Sequence, residues 1–222
     1  MEKNLIRDAL AESIGTFMLV LIGAGAGALN AGLPTVAFAH GLILAGIIYT
    51  YGHLSGAHVN PAVTLGLLVG GHVKVRRALF YWVAQLVGAT LAALFIRLLI
   101  PVDAASAILT SVGETKGSLT RAYLGSALAI EFVLTFILVS VVIQAAVLKK
   151  AGTSAGLAIG VVLAACIMFA GPLTGASLNP ARTFGPALVG GGLLDYGLLY
   201  MVAILAGGAA AGYIQNLLFK DA

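Results

Sequence analysis

Charge is what this sequence has least of. Of 222 residues, 12 are Lys or Arg and 8 are Asp or Glu, 9% in all, where an ordinary soluble domain carries roughly 25%. The hydrophobic share is 60% against about 45–50% in soluble domains, and the mean hydropathy is +1.06. So few charges cannot cover the surface of a soluble sphere, so lipid must replace water around most of the chain. A soluble enzyme is excluded, and so is intrinsic disorder. Cysteine is almost absent as well. Cys166 stands alone, which excludes intrachain disulfides and any multi-cysteine metal or iron–sulfur site. The net charge of +4 rests on few groups and is no argument for nucleic-acid binding; in a membrane protein it reflects which loops are cytoplasmic.

What is present is apolar length. A helical crossing takes about 20 mostly apolar residues, and six stretches qualify: 9–29, 36–51, 78–100, 123–148, 154–170 and 196–219. Two shorter apolar pieces, 61–69 and 180–189, cannot cross. Each begins at a proline, a residue favoured at the first position of a helix. They read as half-helices, which are tolerated at membrane depth only when buried in protein or lining a water-filled cavity. The N-terminus is not a removable signal peptide, because Glu2 and Asp8 sit among Lys3 and Arg7 and the first span is too long for an h-region. Lys3, Arg7, Lys74, Arg76, Arg77, Lys149, Lys150 and Lys220 fall on one side of the alternating topology, and Arg97, Lys116, Arg121 and Arg182 on the other. The positive-inside rule then puts both termini in the cytoplasm.

The chain also repeats itself. An offset of 119 residues carries Asn60-Pro61-Ala62 onto Asn179-Pro180-Ala181, Glu12 onto Glu131, Thr16 onto Thr135, and Gly56-Ala57 onto Gly175-Ala176. One domain over 1–222 therefore contains two halves, approximately 8–100 and 122–220. Three spans per half is an odd number, so the halves enter the membrane from opposite faces. The expected fold is an all-α membrane protein of six spanning helices and two re-entrant half-helices. It is arranged as an inverted repeat, with its site where the broken helices meet near the midplane.

Two opposed half-helices present N-termini to each other, each with roughly half a positive charge and unsatisfied N–H groups. If the Asn60 and Asn179 oxygens cap their own helices, their NH₂ groups are left to face a lumen. Cations and protons are repelled there, while a neutral solute with lone pairs passes. The Gly-rich stretches 52–59 and 171–178 cannot be helical throughout. Their extended backbone at Gly56, Ala57 and His58, and at Gly175, Ala176 and Ser177, would offer a ladder of carbonyl acceptors. Arg182 lies one turn after Asn179; an intramembrane arginine is costly unless it faces water or a partner, so it reads as a second cation barrier. Glu12 and Glu131 read as braces that accept N–H groups from the two loops. A proton relay is the alternative for them. Gly23/Gly27, Gly152/Gly156/Gly160 and Gly208/Gly212 have the spacing that lets helix backbones approach closely.

The segments SGAHVNPAVT at 55–64 and GASLNPARTFGPA at 175–187 resemble the two signature loops of the aquaporin (major intrinsic protein) family. Glu12 in AESIGTF and Glu131 in IEFVLTF match it too. The resemblance covers nearly the whole chain and implies one pore per subunit, a homotetramer and no cofactor. Counting from each Asn, it implies a selectivity filter of His40, Ile167, Ala176 and Arg182, similar to that of plant vacuolar members linked to water plus ammonia or other small neutral solutes. Thr183, where glycerol-conducting members carry Asp, argues against a glycerol facilitator, as does Ala187. The last span departs from the family pattern, with Tyr200 or Met201 where a tryptophan is frequent. Leu44 and Leu163, each sixteen residues before its Asn, are candidates for an apolar collar; core packing is the alternative. The mercury-sensitive cysteine of many members would fall at Ala176, which leaves Cys166 as the one thiol to consider. His53 is expected near the cytoplasmic mouth.

The expected function is a passive channel that conducts water along an osmotic gradient and excludes protons and ions, with ammonia, urea or hydrogen peroxide as further solutes. The alternatives are a small-solute facilitator with minor water flux, or a secondary transporter. The last would want a carboxylate at the midplane binding site, whereas the half-helices begin with Asn-Pro-Ala and no acid, and the only filter charge is positive. The expected partners are water, small neutral solutes, the bilayer and identical subunits. The compact chain suggests a prokaryotic inner membrane; the vacuolar-like filter keeps a plant membrane open.

Overall fold

The computed structural model describes residues 4–100 and 111–219; Lys3 and Lys220, used above for orientation, lie outside them. Among the described residues all regular structure is helical. Six helices are long and apolar enough to cross a membrane: α1 (Leu5–Ala28), α2 (Leu33–Ser55), α4 (Val75–Leu98), α5 (Leu124–Val147), α6 (Gly152–Thr174) and α8 (Leu193–Phe219). Between them lie two half-helices, α3 (Pro61–Val69) and α7 (Pro180–Gly190). The outer faces of the long helices expose large apolar side chains such as Phe38, Leu42, Val83, Phe169 and Val202, a density that fits contact with lipid rather than water. The chain is a multi-pass membrane protein.

Two helices run further than their apolar pattern. α2 continues to Ser55 and α6 to Thr174, so the first residues of each Gly-rich stretch are helical after all. Each helix stops where glycine permits a left-handed cap: Gly56 at φ 92° and Gly175 at φ 86°, with their N–H groups bonded back to the Gly52 and Gly171 carbonyls. The non-helical backbone is thereby confined to Gly56–Val59 and Gly175–Leu178, a shorter loop than the glycine content implies.

Packing follows the small residues. α1 lies against α4 and α5 against α8, α2 crosses α6, and each half-helix tip region packs on a long helix of the other half, α3 on α8 and α7 on α4. Glycine is required where backbones nearly touch. A Cβ on Gly88 would drive into the Ser13 carbonyl, and one on Gly207 into the carbonyl of Phe132, the residue 119 positions after Ser13. We expect Gly88→Ala and Gly207→Ala each to cost about 1–3 kcal/mol, visible as a lower melting temperature of the detergent-solubilised protein. A Gly46→Ala control, which meets open space, should stay near wild type.

Candidate functional site

The site forms where the two loops meet. Asn60 and Asn179 each do two things. The Oδ1 of Asn60 accepts from Ala62 N at 2.8 Å, and that of Asn179 from Ala181 N at 2.9 Å, so each caps the helix it precedes. Their Nδ2 groups then cross over: Asn60 donates to the Leu178 carbonyl and Asn179 to the Val59 carbonyl, both at 2.8 Å. The amides are therefore not wholly free, contrary to the expectation from sequence. One N–H of each ties the opposite loop and the other remains, because an NH₂ has two hydrogens and the nearest carbonyl uses one.

Glu12 and Glu131 sit behind these loops, fully buried. Glu12 accepts from His58 N at 2.9 Å, Val59 N at 2.6 Å and Ser55 Oγ at 2.6 Å. Glu131 accepts from Ser177 N at 3.0 Å, Leu178 N at 2.9 Å and Thr174 Oγ1 at 2.7 Å. The serine and threonine hydroxyls in turn take Ala57 N and Ala176 N, each at 3.0 Å. These bonds hold a backbone that resists its own side chains. Ala57, Val59, Ala176 and Leu178 all have positive φ, 47°, 43°, 44° and 55°, a region costly for non-glycine residues and most so for the β-branched Val59. A carboxylate with several N–H donors is the kind of partner that can offset such strain.

Several of these partners escaped the sequence reading. Ser55 with Thr174 and Thr64 with Thr183 keep the offset of 119, so the repeat carried the signal. Gln85 breaks it. Its Nε2 donates to Glu12 Oε2 at 2.8 Å and Thr64 Oγ1 at 3.1 Å, while the matching position in the second half is Ile204. Its only signal was an amide in an apolar span. We expect Gln85→Leu to destabilise by about 1.5–3 kcal/mol, the range for a hydrogen bond to a charged group, read by thermal unfolding in detergent.

A cavity of about 290 Å³ runs along these elements. Two stripes at four-residue spacing line it: His40, Leu44, Ile48 and Gly52 from α2, and Ala155, Ile159 and Leu163 from α6. Asn60, Asn179 and Arg182 reach it from the loops and half-helices. Leu44 and Leu163 are thus on the wall beside the two Asn residues, and both also belong to the central apolar cluster. From the first loop Gly56, Ala57 and His58 line the cavity; from the second only Ser177 does, among the ladder residues. Ile167 and Ala176 are buried in the apolar cluster and do not line it. Cys166 is buried, His53 is exposed, and Tyr200 is buried with its hydroxyl 2.9 Å from Thr120 Oγ1.

At one end stand His40 and Arg182. His40 Nδ1 is 2.8 Å from the Val36 carbonyl, which makes it the protonated nitrogen and leaves Nε2 an acceptor without a partner among the described residues. Gly23 makes room for this ring, since any Cβ there would collide with it. Arg182 Nη1 donates to the Gly113 carbonyl at 2.7 Å and lies 3.3 Å from Thr115 Oγ1. Thr115 also meets Thr183 Oγ1 at 3.2 Å. Nothing in the composition of the loop before Leu119 marked these anchors.

The Major intrinsic protein family profile matches residues 1–215. The chain is 41% identical to a probable aquaporin, TIP3-2, of Arabidopsis thaliana, over 95% of this chain and 83% of that protein. It is 37% identical to aquaporin NIP1-2 of Oryza sativa subsp. japonica, over 100% of this chain and 74% of that protein. Its fold is similar to the X-ray structure of the aquaglyceroporin from Plasmodium falciparum, with a TM-score of 0.81 and 25% identity, covering 98% and 96% of the two chains. Profile, relatives and fold agree, and the chain belongs to the major intrinsic protein family.

Proposed function

We infer that this protein is a passive membrane channel, not an enzyme, through which water and small neutral solutes move down their gradients. The observation that carries this reading is the crossed pair of asparagines. Two half-helix N-termini meet on the wall of a cavity, each with a spare amide N–H, and fixed donors with a positive potential at mid-pore oppose protons and cations. His40, Ile167, Ala176 and Arg182 are the proposed filter, of which His40 and Arg182 line the cavity. Gly56, Ala57, His58, Gly175 and Ser177 are the proposed acceptor ladder, Glu12 and Glu131 the loop braces, and Leu44 and Leu163 the collar. The halves 8–100 and 122–220 act as inverted repeats within one domain. We further propose a homotetramer in a prokaryotic cell membrane with cytoplasmic termini. The orientation is supported by Arg7, Lys74, Arg76, Arg77, Lys149 and Lys150 on one side, against Arg97, Lys116 and Arg121 on the other.

Stopped-flow light scattering on proteoliposomes tests the reading. Water flux well above that of empty liposomes, with little proton leak, is the expected outcome, and flux equal to empty liposomes would overturn it. Ile167→His in the same assay should lower ammonia flux relative to water if the filter lies where we place it.

A further inference from the structure

The repeat offset carries the four filter positions onto four residues in the other half of the pore. His40 goes to Ile159, Ile167 to Ile48, Ala176 to Ala57 and Arg182 to Val63. All four images line the cavity. The correspondence is structural as well as numerical, because the loops share their positive-φ pattern at Gly56/Gly175, Ala57/Ala176 and Val59/Leu178. Their braces correspond too, in the backbone N–H groups that Glu12 and Glu131 accept. Where one end of the cavity carries an imidazole acceptor and a guanidinium donor, the equivalent level at the other end carries only aliphatic side chains.

We propose that Ile48, Ala57, Val63 and Ile159 form a second constriction, the apolar image of the filter, and that it adds to the filter's effect by shifting the preference further from water toward ammonia. This rests on the channel reading above. The hydrogen-bonding inventory of that level is one-sided. The first loop offers backbone carbonyls at Gly56, Ala57 and His58, which accept, while none of the four side chains donates. His58, the polar side chain nearest in sequence, lies with Nδ1 3.0 Å from Thr64 Oγ1; because that hydroxyl gives its own proton to the Asn60 carbonyl, Nδ1 is the donor and His58 Nε2 is left an acceptor. Water has two donors and two lone pairs, and it loses partners for its lone pairs in passing. Ammonia has three donors and one lone pair, and it loses less. An acceptor-only, donor-poor level therefore favours ammonia, whereas the His40–Arg182 level offers both a donor and an acceptor. Val63 and Ile159 are buried at 4% and 2% exposure, so bulk water does not fill the deficit from behind.

The test is to add one donor without changing shape. Val63→Thr is nearly isosteric, and Ile159→Thr places a hydroxyl on the opposite stripe, with Ile159→Val as a control for size alone. Osmotic water permeability and ammonia permeability are measured on proteoliposomes of equal protein content, with gel filtration in detergent to confirm folding. The water-to-ammonia ratio should rise about five-fold in either threonine variant, the factor given by one hydrogen bond of ordinary net strength. Ile159→Val, which enlarges the level without adding a donor, should shift the ratio much less than Ile159→Thr. An unchanged ratio in a folded threonine variant, or an equal shift in Ile159→Val, overturns the proposal while leaving the channel reading intact. A wild-type protein that conducts neither solute overturns both. The two threonine sites are independent, so failure of one to fold leaves the other to decide.

Discussion

Proteoliposomes carrying Arg182→Ala are expected to leak protons about thirty times faster than wild type while passing water at least as fast. The factor comes from Coulomb's law. A unit charge at roughly 8 Å in a medium of effective dielectric near 20 opposes a cation by about 2 kcal/mol, and each 1.4 kcal/mol or so is tenfold. Water flux should not fall, because alanine leaves more open space on the cavity wall than the guanidinium it replaces. The substitution leaves the Gly113 carbonyl and Thr115 Oγ1 without their cationic donor, so some loss of thermal stability should accompany the leak. The leak is read as the decay of a pH gradient with an entrapped dye. Unchanged decay would mean that the barrier lies wholly at the asparagines and that Arg182 has another role.

The second large effect is on stability. Glu131→Ala removes the acceptor for Ser177 N, Leu178 N and Thr174 Oγ1 together. Each orphaned donor costs about 1–3 kcal/mol, and the strained conformations of Ala176 and Leu178 lose their restraint. We expect a loss of the order of 5 kcal/mol, enough that little folded protein survives extraction. Glu131→Gln should be intermediate, because the amide keeps one acceptor oxygen but turns a donor toward an N–H. Glu12→Ala should be at least as severe, since Gln85 loses its acceptor as well. Thermal unfolding of detergent-solubilised protein ranks the three. A Glu131→Ala variant as stable as wild type would show that the loop holds its shape without the carboxylate.

How much of this could be read beforehand follows from the physics of each signal. The spans were legible because lipid demands a long apolar run, and the half-helices because Asn-Pro opens them. Glu12 and Glu131 stood out because a buried acid repeated at one offset has few uses, and both accept N–H groups from the loops. Helix ends were not, because Gly52 and Gly171 can serve helix or loop alike. The outcome was fixed by the left-handed caps at Gly56 and Gly175, which sequence does not display. Ser55 and Thr174 were missed although the repeat marked both, because a hydroxyl in a membrane helix has a default partner one turn back. Gly113 and Thr115 act from a connecting segment with no periodicity. Their part in holding Arg182 depends on where the chain returns over the pore, which only three-dimensional placement reveals. The offset also carried information that the asparagines alone did not. The same arithmetic that finds Asn179 from Asn60 finds Val63 from Arg182, and so a wall that differs between the two ends.

The crossed amides have a consequence for synthesis. The amide of Asn60 finds its partner in the Leu178 carbonyl, 118 positions away, and the carbonyl of Val59 finds its partner in the Asn179 amide, 120 positions away. A ribosome that has released the first hundred residues has delivered three spans and a half-helix whose tip has nothing to bind. That tip must wait, at mid-membrane or short of it, until the second half emerges. The protein is therefore expected to finish its centre last, and a nascent chain stalled before Asn179 should remain open to membrane-embedded chaperones and proteases.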